Sequence, residues 1–361
     1  MSVVLTLLIF CLIVVVHEWG HFIVAKKSNV LVEEFAVGMG PKLFSKQAGE
    51  TEYSLRALPL GGFCRMADET PDNSQRIGFN QANVWKRIAI SVAGAVMNFV
   101  LAFVILTFMA MTTGVATNEI ESVSENSPAY EAGILSGDRI VEVDGQKVRM
   151  KSDLSFAISS YDGKSDVSVK IKRNGEIIEK SLKPAYDEEN GRFLLGVSVK
   201  ALMPVLDVGV YEEIPEGYEK ASFWDCVKDG YYNIFFLIKV TLSGFVQLVT
   251  RSIGVEQLSG PIGVTTIVGE TYAESVQYGA MNVIVSLLYL AALLSANLGV
   301  INLLPLPAID GGRIVFYVIE VIRGKKISPE KEGFVHFIGF LLLILFGVFI
   351  AYNDLIKLFG N

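Results

Sequence analysis

Val3-Val4-Leu5-Thr6-Leu7-Leu8-Ile9-Phe10-Cys11-Leu12-Ile13-Val14-Val15-Val16 runs straight into His17-Glu18-Trp19-Gly20-His21. The apolar run predicts a helix at home in a bilayer. On a helix, His17 and His21 fall one turn apart on the same face, the spacing at which two imidazoles grip one metal ion. Glu18 lies beside them as a candidate general base. In water the pattern reads as an ordinary metal-dependent hydrolase; at the end of a membrane span it moves that chemistry into the bilayer. Ionisable groups inside spans are costly and mark functional sites. The chain has only 3 histidines, so two of the three are committed to this motif. The run lacks a charged leading region and a small-residue cleavage site, and is expected to be retained as a first span rather than removed as a signal peptide.

Composition points the same way. Of 361 residues, 51% are hydrophobic and 19% charged, below the roughly one quarter usual in soluble proteins. A net charge of -7 with no basic stripe gives no support for nucleic-acid binding. Cys11, Cys64 and Cys226 are scattered without C-x-x-C spacing, which argues against a disulfide framework and a cysteine-based zinc site.

The expected architecture is a polytopic α-helical membrane protein with about four transmembrane helices, an inserted extracytoplasmic α+β module and a small membrane-associated β-hairpin region. The expected boundaries are residues 1–25 for the first span, 26–87 for a cytoplasmic hairpin loop and 88–113 for the second span. The soluble module takes 114–202, a membrane-associated helical region 203–282, a broken third segment 283–322, and a fourth span 333–357. Lys26, Lys27, Lys86, Arg87, Arg323, Lys325 and Lys326 assign their loops to the cytoplasm by the positive-inside rule. The module then faces outward and the His17–His21 motif lies near the cytoplasmic side. The stretch 229–250 is apolar but punctuated by Lys228, Lys239 and Arg251, and is expected to lie on or partly in the outer leaflet.

The module reads as short alternating strands, with Val167–Ile171 as one and Asn174-Gly175 as a hairpin turn. Asn126-Ser127-Pro128-Ala129 opens a short helix, and Ala132-Gly133-Ile134-Leu135-Ser136-Gly137-Asp138-Arg139-Ile140 follows. That string resembles the PDZ fold of bacterial proteases, which implies a peptide or substrate terminus captured by strand addition. The competing reading is a steric spacer. In the loop, Val30–Val37 and Tyr53–Leu58 alternate before Pro59-Leu60-Gly61-Gly62. They predict a small hairpin whose edge holds an extended substrate, or one that merely packs at the interface.

A hydrolytic zinc takes three protein ligands and leaves the fourth position to water. Asp310 is the leading third ligand, in Asn302-Leu303-Leu304-Pro305-Leu306-Pro307-Ala308-Ile309-Asp310-Gly311-Gly312. Pro305 and Pro307 break the segment, and broken helices at membrane depth line cavities. His336 is the rival. Asn98, in Gly94-Ala95-Val96-Met97-Asn98, is a candidate donor to an oxyanion, with helix bridging as its plainer role. Asn302 is a candidate donor to substrate backbone, or a cap of the broken helix.

Taken together, these motifs resemble the site-2 protease family of intramembrane zinc metalloproteases, in the bacterial branch that includes the regulator of sigma-E protease. His17, Glu18 and His21 match its H-E-x-x-H. Gly94 and Asn98 match its G-x-x-x-N, and Asn302 to Gly311 match its N-x-x-P-x-P-x-L-D-G with Ile309 in place of leucine. Gly38–Phe44 resembles the family's membrane-associated hairpin and Leu258–Gly263 its segment after the PDZ module. Some members carry two PDZ modules; this chain has room for one. The resemblance implies a Zn2+ cofactor held by His17, His21 and Asp310. It implies single-span membrane proteins as substrates, already trimmed by another protease, such as anti-sigma factors or remnant signal peptides. It also implies the bacterial inner membrane as location. Two alternatives stand beside it: a membrane zinc protease of another architecture, and a non-enzymatic scaffold displaying the PDZ module.

Overall fold

The computed structural model describes residues 1–70, 75–206, 208, 210, 218–250, 254 and 258–359. In chain order the elements are α1 (Ser2–Lys27), β1 (Val32–Ala48), β2 (Thr51–Met66), α2 (Val84–Thr113), β3 (Val115–Val123), α3 (Pro128–Glu131), β4 (Arg139–Val143), β5 (Gln146–Lys147) and α4 (Lys151–Ser159). They continue as β6 (Val167–Arg173), β7 (Glu176–Leu182), β8 (Ala185–Asp187), β9 (Arg192–Leu194), β10 (Val197–Leu202) and α5 (Phe223–Val249). Last come α6 (Pro261–Val276), α7 (Ala280–Leu303), α8 (Asp310–Arg323) and α9 (Pro329–Phe359). Two compact units result, one from Met1–Ile105 with Leu237–Asn361, the other from Leu106–Phe236.

In the first unit, α1 carries no charge before its only acid, Glu18, and closes on Lys26 and Lys27. Its buried residues Ile9, Ile13, His17, Gly20, His21 and Ala25 recur every three or four positions and form one stripe. The hairpin β1–β2 packs beside it: a Cβ on Gly61 would come within 2.8 Å of Val14, and one on Gly62 would strike the Ala36 carbonyl. Phe35 stands opposite Cys64, and Ala48 opposite Thr51 at the tip. Glu34 ties the hairpin together from inside. It accepts from Ser54 Oγ at 2.6 Å and Arg56 at 2.7 Å, and Arg65 lies 3.1 Å from its other oxygen. Burial works against that carboxylate, yet the Ser54 and Arg56 hydrogen bonds hold it below the usual carboxylate range. Leu43, Phe44, Leu55, Leu58 and Leu60 leave the hairpin's outer part apolar and exposed.

Helix α7 stops at Leu303 because Pro305 and Pro307 cannot continue it. The chain turns through Leu304–Ile309 and restarts as α8 at Asp310. A side chain on Gly311 would strike the Leu304 carbonyl and one on Gly312 the Leu306 carbonyl, so only glycines let the turn close this tightly.

Among the described residues, five helices are long and apolar enough to cross a membrane by length and composition: α1, α2, α5, α7 and most of α9. The expectation was about four, with 229–250 on the surface. The difference is α5, whose 27 residues extend the apolar stretch beyond Lys228 and Lys239. Long lysine stems run along apolar surface, so two lysines do not end such a helix. Arg251 lies outside the described residues, as do parts of the region 203–282.

The second unit holds a six-stranded sheet in the order β10-β3-β4-β6-β7, with β5 on β4. Ile120, Ile140, Val143, Val167, Val169 and Ile171 point to one face and build the core with Ile134, Leu154 and Ile158. Ser127 accepts from the Tyr130 N–H and caps α3. Asn174 and Gly175 both have positive φ, 51° and 91°, and turn β6 into β7 with Arg173 opposite Glu176. Asp138 is buried and grips Arg173 through two bonds of 2.7 Å. Burial would raise its pKa, but the Arg173 bonds and the Leu135 N–H hold it below the usual carboxylate range.

Candidate active site

Two helices meet closely where α1 turns polar. Gly20 sits so tightly on α2 that a Cβ there would strike the Ala93 carbonyl. A Cβ on Gly94 would lie 2.6 Å from Nε2 of both His17 and His21. These two glycines bring α2 against the imidazole face of α1, and the break after α7 brings in Asp310.

The three side chains converge. His17 Nε2 and His21 Nε2 are 3.1 Å apart, and Asp310 Oδ2 lies 3.1 Å from the first and 3.3 Å from the second. Zinc bonds nitrogen and oxygen at about 2.0–2.2 Å, and two ligands in a tetrahedron at that radius lie about 3.3 Å apart. The triangle therefore has the edges of one face of a zinc tetrahedron. It is also the one group of three metal-capable side chains found among the described residues. Both histidines are buried and Asp310 is half-buried.

Each ring is held from behind. His21 Nδ1 meets the Ile90 carbonyl at 2.7 Å, so Nδ1 carries the proton and Nε2 is free as a ligand. Behind His17, the Asn98 amide lies 3.3 Å from Nδ1 and the Asn302 amide 3.5 Å. Asn98 is fully buried, and its Oδ1 has no hydrogen-bond partner among the described residues. With the amide turned about its own axis, Oδ1 would accept the Nδ1–H of a ring that offers Nε2 to a metal.

Glu18 accepts the Cys64 backbone N–H through Oε2 at 2.9 Å. Both line a cavity of about 220 Å³ together with His17, His21, Asp310 and Arg313. Burial, with Glu18 nearby, pushes the Cys64 thiol up to about 12. That leaves it a neutral wall of the cavity rather than a thiolate ligand. His336 stays off the triangle: its Nδ1 accepts the Ala308 N–H at 2.9 Å. The Ile90 carbonyl and the Cys64 amide were not foreseen from sequence. Both are backbone groups, and no residue type announces them.

Comparison with known proteins gives the geometry its family. The model of Peptidase family M50 matches residues 5–346. The regulator of sigma-W protease RasP of Bacillus subtilis is 31% identical over 446 aligned positions, covering 99% of each chain. The zinc metalloprotease RasP of Shouchella clausii is 32% identical, covering 98% of each. The PDZ domain of the SdrC-like protein of Listeria innocua is 34% identical over 24% of this chain and 92% of its own, with a TM-score of 0.20. A family match over nearly the whole chain, with full-length relatives that are zinc metalloproteases, identifies a membrane metalloprotease with a Zn2+ cofactor: the chain belongs to Peptidase family M50, the site-2 protease family.

Proposed function

We propose that this protein is an intramembrane zinc endopeptidase that hydrolyses a peptide bond within the membrane segment of single-span proteins. The observation that carries the reading is the His17, His21, Asp310 triangle beside Glu18, built on α1 and the α7–α8 break among helices long and apolar enough to span. An aqueous protease has no reason to bury its site there.

When bound by His17, His21 and Asp310, zinc lowers the pKa of water toward about 7 and polarises a carbonyl. The rest is work for the chain itself. The Cys64 N–H fixes Oε2 of Glu18, leaving Oε1 to take the proton of the attacking water and deliver it to the leaving amine. The Ile90 carbonyl keeps His21 in one tautomer. Asn98, expected as an oxyanion donor, is buried behind His17, which favours holding that ring over touching substrate. Asn302 is half-buried beside the same ring and is the better assignment for bonding substrate backbone.

Two further surfaces fit the substrate. Strand β2 presents Cys64 at the cavity, so an unwound span laid along that edge would run past Glu18. In the module, a groove of about 820 Å³ between α4 and the β9–β10 segment is lined by Leu154, Ile158, Phe193, Leu195 and Val197. It suits an extended peptide terminus with apolar side chains, such as the end left by an earlier outside cut.

Two contacts support the orientation. Arg87 pairs with Glu320 at 2.6 Å, and Lys326 donates to the Asn80 carbonyl at 2.6 Å. The hairpin loop and the 323–326 cluster therefore share a side, which an even number of crossings between them satisfies. Helices α2 and α7 supply two; α5 then enters the membrane without changing sides. The shared side supports four crossings, and the lysines and arginines on it favour a cytoplasmic hairpin and an outward module in a bacterial inner membrane. The B. subtilis relative is a regulator of sigma-W protease, which favours anti-sigma factors as a substrate class, with remnant signal peptides second.

The test is to map by mass spectrometry the bond cut in a pre-trimmed single-span reporter. A cut inside the apolar segment supports the reading, and a cut only in its aqueous flanks refutes it.

A further inference from the structure

The loop that carries Asp310 holds one residue in an unfavourable conformation. Ala308 has φ of +76°, the left-handed region that a Cβ disfavours. Nothing intrinsic to alanine keeps it there. Pro305 and Pro307 have no N–H to donate, and the Leu306 N–H bonds back to Leu304 within the loop at 2.7 Å. The Ala308 N–H leaves the loop altogether and is donated to Nδ1 of His336 on α9 at 2.9 Å. One turn further along α9, Gly339 lies so close to Pro307 that a side chain there would strike the proline. The His336 ring also stands 5.5 Å from the Phe316 ring of α8. Helix α9 thus grips the loop at two successive residues, Pro307 and Ala308, and leans on the helix that Asp310 begins.

We propose that His336 is a positioning residue for the metal centre: its Nδ1 holds Ala308 left-handed, and that turn aims the Asp310 carboxylate at His17 and His21. The inference rests on the reading of Asp310 as a zinc ligand. Because Nδ1 accepts, the ring proton sits on Nε2, which is buried without a hydrogen-bond partner among the described residues and faces Glu332 Oε1 at 4.0 Å. Among the described residues, the one hydrogen bond of the His336 ring is therefore the one to Ala308. Only one residue, Ile309, separates Ala308 from the ligand, and Asp310 is the first residue of α8, so rotation at Ala308 passes directly into the direction of its carboxylate. Groups one step behind a ligand typically change metal affinity about 10–100-fold.

The experiment measures zinc retention by the purified full chain against a competing chelator. It compares wild type, His336→Ala, His336→Asn, Asp310→Ala, Ala308→Gly and the double variant Ala308→Gly/His336→Ala. The melting temperature of each metal-free protein is measured alongside. Asparagine places a carbonyl oxygen near the position of Nδ1, and glycine takes a positive φ without penalty. The expected result is about 10–100-fold weaker retention in His336→Ala, recovered to within about threefold by His336→Asn and in part by the double variant, with metal-free melting unchanged. Wild-type retention in His336→Ala, beside loss in Asp310→Ala, overturns the positioning role. So does a loss that neither asparagine nor glycine rescues. Wild-type retention in Asp310→Ala overturns instead the ligand reading beneath it.

Discussion

The carbonyl of Ile90 lies 2.7 Å from Nδ1 of His21, across a helix contact that Gly20 and Gly94 make possible. That hydrogen bond decides which nitrogen of His21 is available. Helix α2 therefore does more than pack on α1: its backbone selects the tautomer that a metal requires.

Asp310→Ala removes one corner of the triangle and leaves His17 and His21 in place. Two imidazoles alone make a weak, open site. Zinc content of the purified protein, read by atomic absorption, is expected to fall to a small fraction of one per chain. Unchanged content would exclude Asp310 as the third ligand.

Gly94→Ala sets a methyl 2.6 Å from Nε2 of both histidines, where a metal would be held. Neither backbone can retreat without losing the Ile90 bond. Zinc retention is expected to drop by about 10-fold or more. A variant that binds zinc like wild type would mean that α1 and α2 stand further apart than described.

In the module, Arg173→Met leaves the Asp138 carboxylate buried without its bidentate partner. Because the Arg173 side chain is 27% exposed, the cost is set below that of a fully buried pair. Hydrogen exchange of the β4 and β6 amides in the whole protein reads it; exchange as slow as in wild type would remove this pair from the module's stability. The sign with pH follows from the lowered pKa of Asp138. The pair's contribution is present above the ordinary carboxylate value of 3.8 and fades as pH falls through the lower folded value. The wild-type module is thus expected to lose protection only in strong acid, and the Met variant to lack that acid-sensitive component.

Much of this arrangement was legible in the chain. His17 and His21 share a face because helical spacing puts them there, and Asp310 stood out because two prolines and two glycines break a membrane segment around it. Asn174-Gly175 announced its hairpin through the positive φ both residues adopt. What stayed hidden was of two kinds. The Ile90 carbonyl and the Cys64 N–H are main-chain groups that any residue could supply, so only the fold brings them to the site. The extent of α5 was obscured by Lys228 and Lys239, which look like boundaries in a hydropathy scan but sit within one continuous helix. His336 reads as a rival ligand because it is a histidine at the start of an apolar span; its partnership with Ala308 depends on a backbone angle that no pattern of residue types encodes.

The most direct test of the central claim separates zinc from the base. Wild type and Glu18→Gln are purified side by side, assayed for zinc, and given a pre-trimmed single-span reporter with and without a chelator. Glutamine keeps the shape of Glu18 and the Cys64 hydrogen bond but cannot accept the proton, so the variant is expected to hold full zinc and lose about 10²–10⁴-fold in cleavage. Chelation should abolish what wild type does. Cleavage that persists in Glu18→Gln, or survives removal of zinc, would contradict the account.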